Sequence, residues 1–171
     1  MKGSYLTDVT DISRVFLDES CRLLGTEYIS SIERCLAELS DEDIWWRANE
    51  TSNSIGNLLL HLRGNVGQWI VGGVGQRAND RKRQQEFDER AHIPKRELLT
   101  NLKATVAEAV AVIRAVNPES LLDGRVIQGY DTTVFKAIYH VVEHFSTHTG
   151  QIVLLTKLRA GKDLRLWQPS E

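Results

Sequence analysis

The amino-acid sequence predicts an all-α protein: a four-helix bundle with a long crossover connection after the second helix. Three observations carry this. Apolar residues recur at intervals of three, four and seven along four long segments, the period of an amphipathic helix. The only prolines are Pro94, Pro118 and Pro169, so little interrupts those segments. Glycine and proline cluster where the periodicity lapses. The 171 residues, 42% hydrophobic and 26% charged, suit one globular domain over 1–171.

The first helix is expected from Val9 to Leu39, with Val15, Phe16, Leu23, Leu24, Ile29, Ile32, Leu36 and Leu39 on its apolar stripe. Gly25 weakens it without stopping it. Ser40 to Trp46 reads as a turn or a single helical turn that drops Trp45 and Trp46 onto the core. Asn53 or Ser54 caps the second helix, which carries Ile55, Leu58, Leu59, Leu62, Val66, Trp69 and Ile70 and ends at Gly72, Gly73 and Gly75. Residues 76–93 are polar and lack a period, as a long connection would be, with room for a short helix. Pro94 suits the first turn of a third helix reaching about Val116. Asn117-Pro118 closes it. Residues 119–130 form turns and a short hairpin, Asp131 caps a fourth helix over about Thr132 to Arg159, and Gly161 stops it.

The formal net charge of -2 and the lack of a long basic run speak against nucleic acid as a partner. Arg81-Lys82-Arg83 is followed at once by Gln84, Gln85, Glu86 and Asp88 and reads as a solvated loop. No segment approaches the ~20 apolar residues of a membrane span, and Met1 to Tyr5 lacks the apolar core of a signal peptide. Cys21 and Cys35 sit on one predicted helix, roughly 21 Å apart, too far for a disulfide. Reduced thiols of a cytoplasmic protein are the expectation.

Chemistry concentrates in the histidines. His140, His144 and His148 recur every four residues on the fourth helix, so neighbours share a face. At about 100° per residue, His148 falls beside the core stripe of Val141, Phe145 and Ile152, His144 on its flank and His140 outermost. His61, on the second helix, flanks its own stripe next to Asn65. A three-ligand site with an open position needs a third imidazole besides His144 and His148, and His61 supplies it. His140 is then a supporting or surface residue, and His92, just before Pro94, is solvated. An HxxxH pair also arises by chance, and a single helix histidine is commonly an ordinary core residue.

The segments Asn53-Ser54-Ile55-Gly56-Asn57-Leu58-Leu59-Leu60-His61-Leu62, His140-Val141-Val142-Glu143-His144 and His148-Thr149-Gly150-Gln151-Ile152 resemble the DinB-like (YfiT-like) superfamily of metal-dependent bundles. The histidine ladder ending in H-x-G-Q is the more specific part. The resemblance implies an up-down-down-up bundle, often a homodimer, with a metal, zinc or nickel, held at His61, His144 and His148. Some relatives are thiol-dependent enzymes that carry out S-transfer or isomerisation with a low-molecular-weight thiol. Many members carry an arginine after the last histidine of the ladder, where this chain has Thr149.

Three readings follow. In a metalloenzyme, a transferase or hydrolase, three neutral imidazoles leave a position at which water or a thiol loses its proton near neutral pH. Gln151, Asn65, His140 and Trp46 would support the ligands or line the pocket, with Glu143, Trp45, Trp69 and Tyr130 as weaker candidates. In a non-catalytic, stress-response metal protein the shell would be closed by a fourth ligand. In a metal-free interaction module the histidines would make ordinary hydrogen bonds. Histidine ligands alone suit zinc, nickel, copper or iron alike.

Overall fold

The structure is a computed structural model that describes residues 9–166. The stretch Met1 to Tyr5, read above as lacking a signal-peptide core, lies outside the described residues. Four long helical runs and one β-hairpin make up the described chain.

The first run joins α1 (Val9–Arg22) and α2 (Tyr28–Ala37) through a π-type turn, Leu23–Glu27. Gly25 lies inside this turn, where a Cβ would come within 3.3 Å of Val110. The extra residue per turn thus occurs where the first run crosses the helix over Lys95–Arg114. Asp43–Trp45 forms one 3-10 turn. Trp45 is buried, and its indole N–H donates to the Ile93 carbonyl at 3.0 Å. Trp46 is only half-buried and sits beneath Arg159, 5.9 Å from the guanidinium carbon.

α3 (Ile55–Val66) begins at Ser54, which forms a capping box with Asn57. The run does not stop at Gly72 and Gly73 as expected. It continues as a π-type segment, Gly67–Val74, and ends at Gly75 with Gln76 at φ 54°. Gly73 serves a different purpose from a stop: a Cβ there would meet the Ile127 side chain at 2.3 Å. The missing side chain lets the hairpin dock. α4 (Arg83–Asp88) is the short helix of the connection, and α5 (Lys95–Arg114) follows Pro94.

The hairpin pairs β1 (Gly124–Ile127) with β2 (Tyr130–Thr133), Ile127 opposite Tyr130. Gln128 and Gly129 both have positive φ, 54° and 77°, as a two-residue turn of the I′ kind requires. Asp131 therefore lies in a strand, and the cap of α6 (Val134–Ala160) is Thr133, whose hydroxyl accepts from the Lys136 amide at 3.2 Å. Local pairing across the hairpin outcompetes the Asp131 cap. Gly161, at φ 64°, ends α6.

α3 packs against both α5 and α6, α2 against α6, and α1 against α5. The fully buried layer includes Leu24, Ile32, Leu59, Leu62, Leu102, Ile113, Ile138, Phe145 and Ile152, with residues from every long run. Among the described residues no helix is long and apolar enough to cross a membrane.

Candidate metal centre

The α3–α6 contact brings His61 to the histidine ladder. A well-capped helix start fixes the register of α3: the Ser54 hydroxyl accepts from the Asn57 amide at 3.2 Å and donates to Asn57 Oδ1 at 2.6 Å. His61 lies one turn beyond Asn57 on that rigid helix and is 3% exposed. His144 and His148 face it one turn apart on α6. The His61 and His144 Nε2 atoms are 2.9 Å apart. The His148 ring is edge-on to both, its centroid 5.0 Å from that of His61 and 4.4 Å from that of His144. One nitrogen from each of the three rings lies within 4.8 Å of the others.

What holds His61 comes from the connection, not from the long helices. Glu86 Oε2 lies 2.9 Å from His61 Nδ1. A carboxylate only accepts, so Nδ1 carries a proton, and in the neutral ring Nε2 presents its lone pair. Arg81 grips the same carboxylate with Nε at 2.6 Å and Nη2 at 2.8 Å, and its Nη1 donates to Gln68 at 3.0 Å. The Arg81 and Glu86 side chains are 4% and 11% exposed, which corrects the reading of this stretch as a solvated loop. Lys82, Arg83 and Gln84 do face solvent. Asn57 ties the connection down by donating from Nδ2 to the carbonyls of Glu86 at 2.8 Å and Glu89 at 3.2 Å. Gly64 makes room: a Cβ there would stand 1.9 Å from Glu86 Oε1 and 2.7 Å from Arg81 Nε.

The other sequence candidates separate cleanly. Gln151 accepts from His148 Nδ1 at 2.7 Å, which leaves Nε2 of that ring free. His140 stacks on His144 at 5.3 Å between centroids and lies 4.4 Å from the Trp69 ring. Its Nε2 is 3.5 Å from Asn65 Nδ2. Trp46 is not part of this cluster: it lies under Arg159, eleven positions beyond His148 on α6. Trp69 lies against His140 on the wall of the cavity beside the rings. Glu143 is exposed, and His92, also exposed, stacks on Trp45 at 6.1 Å. Thr149 is buried, and its hydroxyl donates to the Phe145 carbonyl at 2.8 Å, so it turns away from the imidazoles. A cavity of about 310 Å³ opens onto His61, His140 and His144, with Asn65, Trp69 and Tyr130 among its walls.

Burial, then the charges of His148, His61, His140 and Arg81, holds His144 down to about 3. Burial also lowers His140 and His148, the latter against a Gln151 hydrogen bond that favours its protonated form. For Glu86, burial works to raise the pKa, but the hydrogen bonds from Arg81 and His61 outweigh it and the net shift is downward. The carboxylate is thus ionised and the ladder rings are neutral near pH 7. Neutral nitrogen lone pairs converging at 2.9 Å repel one another unless a proton or a cation lies between them. Nitrogens sharing one ion at bond lengths of ~2.0–2.1 Å stand at most about 4 Å apart, so the His61–His144 pair already fits. An all-imidazole donor set suits a borderline transition metal.

Comparison with known proteins agrees with this architecture. A family described as "Protein of unknown function (DUF1572)" matches residues 11–168. A DinB-like protein from Bacillus cereus ATCC 10987 has a similar structure, with a TM-score of 0.63 and 15% identity over 80% of this chain and 87% of that one. A conserved protein from Enterococcus faecalis is similar at a TM-score of 0.67 and 17% identity, over 92% of this chain and 100% of that one. At such identities the likeness establishes a shared DinB-like fold. No curated protein matches the chain in sequence.

Proposed function

We propose that this chain, which belongs to the DUF1572 family, binds one divalent transition-metal ion, zinc or nickel, through His61, His144 and His148, and that it is a metal-dependent transferase or hydrolase. The observation that carries the reading is the convergence of one nitrogen from each of the three rings within 4.8 Å, with His61 and His148 each held by a hydrogen bond to the opposite ring nitrogen. Such partners set the tautomer and aim of a ligating imidazole. A cavity beside the rings favours catalysis over a purely structural or stress-response role.

When bound, the ion lowers the pKa of water or a thiol at its open position, so that the nucleophile is anionic near neutral pH. The chain's own residues do the rest. Glu86 and Gln151 hold the ligand rings. The neutral ring of His140, beside His144, is placed to accept a proton at Nε2. Trp69 shields one side of the cavity from water. A low-molecular-weight thiol is the proposed co-substrate. In the same reading the four helical runs follow an up-down-down-up path as a bundle, and the protein is a cytoplasmic homodimer whose Cys21 and Cys35 remain reduced. Both cysteines are buried and free, which supports the reducing compartment.

The test is the double substitution His144→Ala with His148→Ala. Elemental analysis should find stoichiometric metal in the parent protein and none in the variant, while circular dichroism retains its helix content. Metal bound at full stoichiometry by the variant refutes the ligand assignment. For thiol chemistry, adding thiols to cobalt-substituted protein should change its visible spectrum. An unchanged spectrum with every thiol tried removes that part of the proposal.

A further inference from the structure

The structure assigns the cavity beside the imidazoles a ligand class: a small, flat, conjugated carboxylate that also carries a hydrogen-bond donor. The assignment takes its location from the proposed metal site and its chemistry from other residues. At about 310 Å³ the cavity is at the small end of ligand pockets, ~300–1,000 Å³, large enough for a bicyclic aromatic acid.

Charge selects the anion. The cavity wall contains Arg81 and Arg83 and no carboxylate. Arg81 is neutralised by Glu86 behind it. Arg83 forms no salt bridge among the described residues, and its guanidinium rests over the Phe87 ring at 4.9 Å. Phe87 in turn packs against His61 at 4.7 Å between centroids, so Arg83 is steered toward the cavity by the same short helix that carries Glu86. A planar guanidinium suits a carboxylate.

Shape selects the flat body. Trp69 forms one wall, tilted against His140. Tyr130, 67% exposed, forms another from the start of β2. The hairpin tip is tied to the segment after α3 by a hydrogen bond from Gln128 Nε2 to Gln68 Oε1. Two aromatic side chains therefore line one small space: Trp69 leans on the His140 ring, itself part of the lining, and Tyr130 has no aromatic partner among the described residues. Stacked or edge-on packing on such rings favours conjugated ligands.

Asn65 selects the donor. It is 4% exposed, lines the cavity, and its Oδ1 is buried without a hydrogen-bond partner. A buried carbonyl oxygen left unpaired is costly, and turning the amide over merely strands its other end. A ligand N–H or O–H satisfies the oxygen once a rotation of the Asn65 side chain brings it to the cavity wall.

The test uses three probes in calorimetric titrations of the metal-free and zinc-loaded protein. Indole-3-carboxylate has every proposed feature. Indole-3-carboxamide lacks the charge. Benzothiophene-3-carboxylate lacks the N–H. Indole-3-carboxylate should bind metal-free protein about tenfold more tightly than either analogue. Arg83→Gln should erase the preference over the carboxamide without weakening carboxamide binding. Asn65→Leu should erase the preference over the benzothiophene acid. Equal affinities for all three probes, binding of none, or either preference surviving its substitution overturns the assignment. Zinc uptake is measured in the same samples. Uptake without a carboxylate preference refutes the ligand class alone. A carboxylate preference without uptake refutes the metal site alone.

Discussion

Removing the Glu86 carboxylate probes how the connection governs the site. Glu86 accepts three hydrogen bonds, from His61 Nδ1 at 2.9 Å and from Arg81 at 2.6 and 2.8 Å. In Glu86→Ala the nearest remaining group to His61 Nδ1 is Arg81 Nη2, at 3.1 Å. Arginine can only donate, so it would bind a lone pair on Nδ1 and drive the ring proton to Nε2, the nitrogen that faces His144. The substitution also leaves the Arg81 cation, 4% exposed, without its counter-charge. Loss of a partner behind a ligating histidine costs ~10–100-fold in metal affinity, and both effects here act in the same direction. The expected loss for zinc is near 100-fold, about 2.7 kcal/mol, with a separate stability cost of ~3–5 kcal/mol for the stranded charge. Competition against a chromophoric chelator measures the first and urea denaturation the second. Glu86→Gln, which keeps one accepting oxygen, should lose less. Adding Arg81→Met to Glu86→Ala removes the wrong donor and should restore part of the zinc affinity, which a loss of general packing would not do. A folded Glu86→Ala protein with zinc affinity within twofold of the parent, or no recovery in the double variant, refutes this account.

Three further outcomes are expected. Gly64→Ala, although alanine is the better helix former, should weaken zinc binding about as Glu86→Gln does, because its methyl group would displace the carboxylate at 1.9 Å; chelator competition reads this directly. Asn57→Ala leaves the Ser54 hydroxyl bonded to the position-57 amide, but it removes the Oδ1 that accepts from the Ser54 amide and hydroxyl, together with the tether to the 86 and 89 carbonyls, and should cost more than the ~1 kcal/mol typical of a cap alone, as measured by urea denaturation. The metal-free protein should lose thermal stability as pH falls from about 6.5 toward 5. In this range the unfolded histidines take up protons near their ordinary value of about 6.5, whereas folded His144 stays neutral down to about 3, so the unfolded state binds more protons and stability rises with pH. His144→Ala should flatten that slope, and an equally steep slope in the variant would rule out the assigned cause.

The clustering of His61, His144 and His148 was legible because helical geometry carries the information. Two histidines four apart must share a face, and the angular offset from Phe145 and Ile152 sets which of the three ladder residues turns inward. His61 was legible for the same reason, on the flank of Leu58, Leu62 and Val66. The residues behind the rings were not equally visible. Gln151 lies three positions after His148, within reach of a helical-spacing argument. Glu86 lies 25 positions after His61, in a polar segment whose composition is that of a loop. Its burial arises from tertiary packing: the Asn57 tether, the absence of a side chain at Gly64, and the Arg81 counter-charge. The one local signal was glycine inside an otherwise periodic helix, at Gly64, which marks a close approach. Gly73 was misread as a stop for the same reason: its purpose, admitting Ile127, depends on a hairpin fifty residues later. Asp131 looked like a cap because Asp favours that position, yet pairing of β2 with β1 decided the start of α6.

The charges around the site constrain what it can hold more tightly than its shape does. The three clustered imidazoles carry no charge in their neutral forms, and Arg81 and Glu86 cancel as a bidentate pair. The protein therefore supplies almost no compensation for a divalent cation, in contrast to a site with carboxylate ligands. In a partly buried setting such charge interacts strongly, since the effective dielectric there is well below that of water. Arg83 adds one more positive charge at the cavity wall. A cation bound at these imidazoles thus draws an anionic partner into the cavity, whether a thiolate, a hydroxide or a carboxylate. This yields an ordering prediction: zinc should strengthen the binding of indole-3-carboxylate, and by thermodynamic reciprocity the acid should strengthen the binding of zinc by the same factor. Paired calorimetric titrations, zinc with and without the acid and acid with and without zinc, measure both factors. Coupling absent or negative in the parent protein would mean that the Arg81–Glu86 pair does not cancel as its geometry implies, and that Glu86 offsets the cation directly.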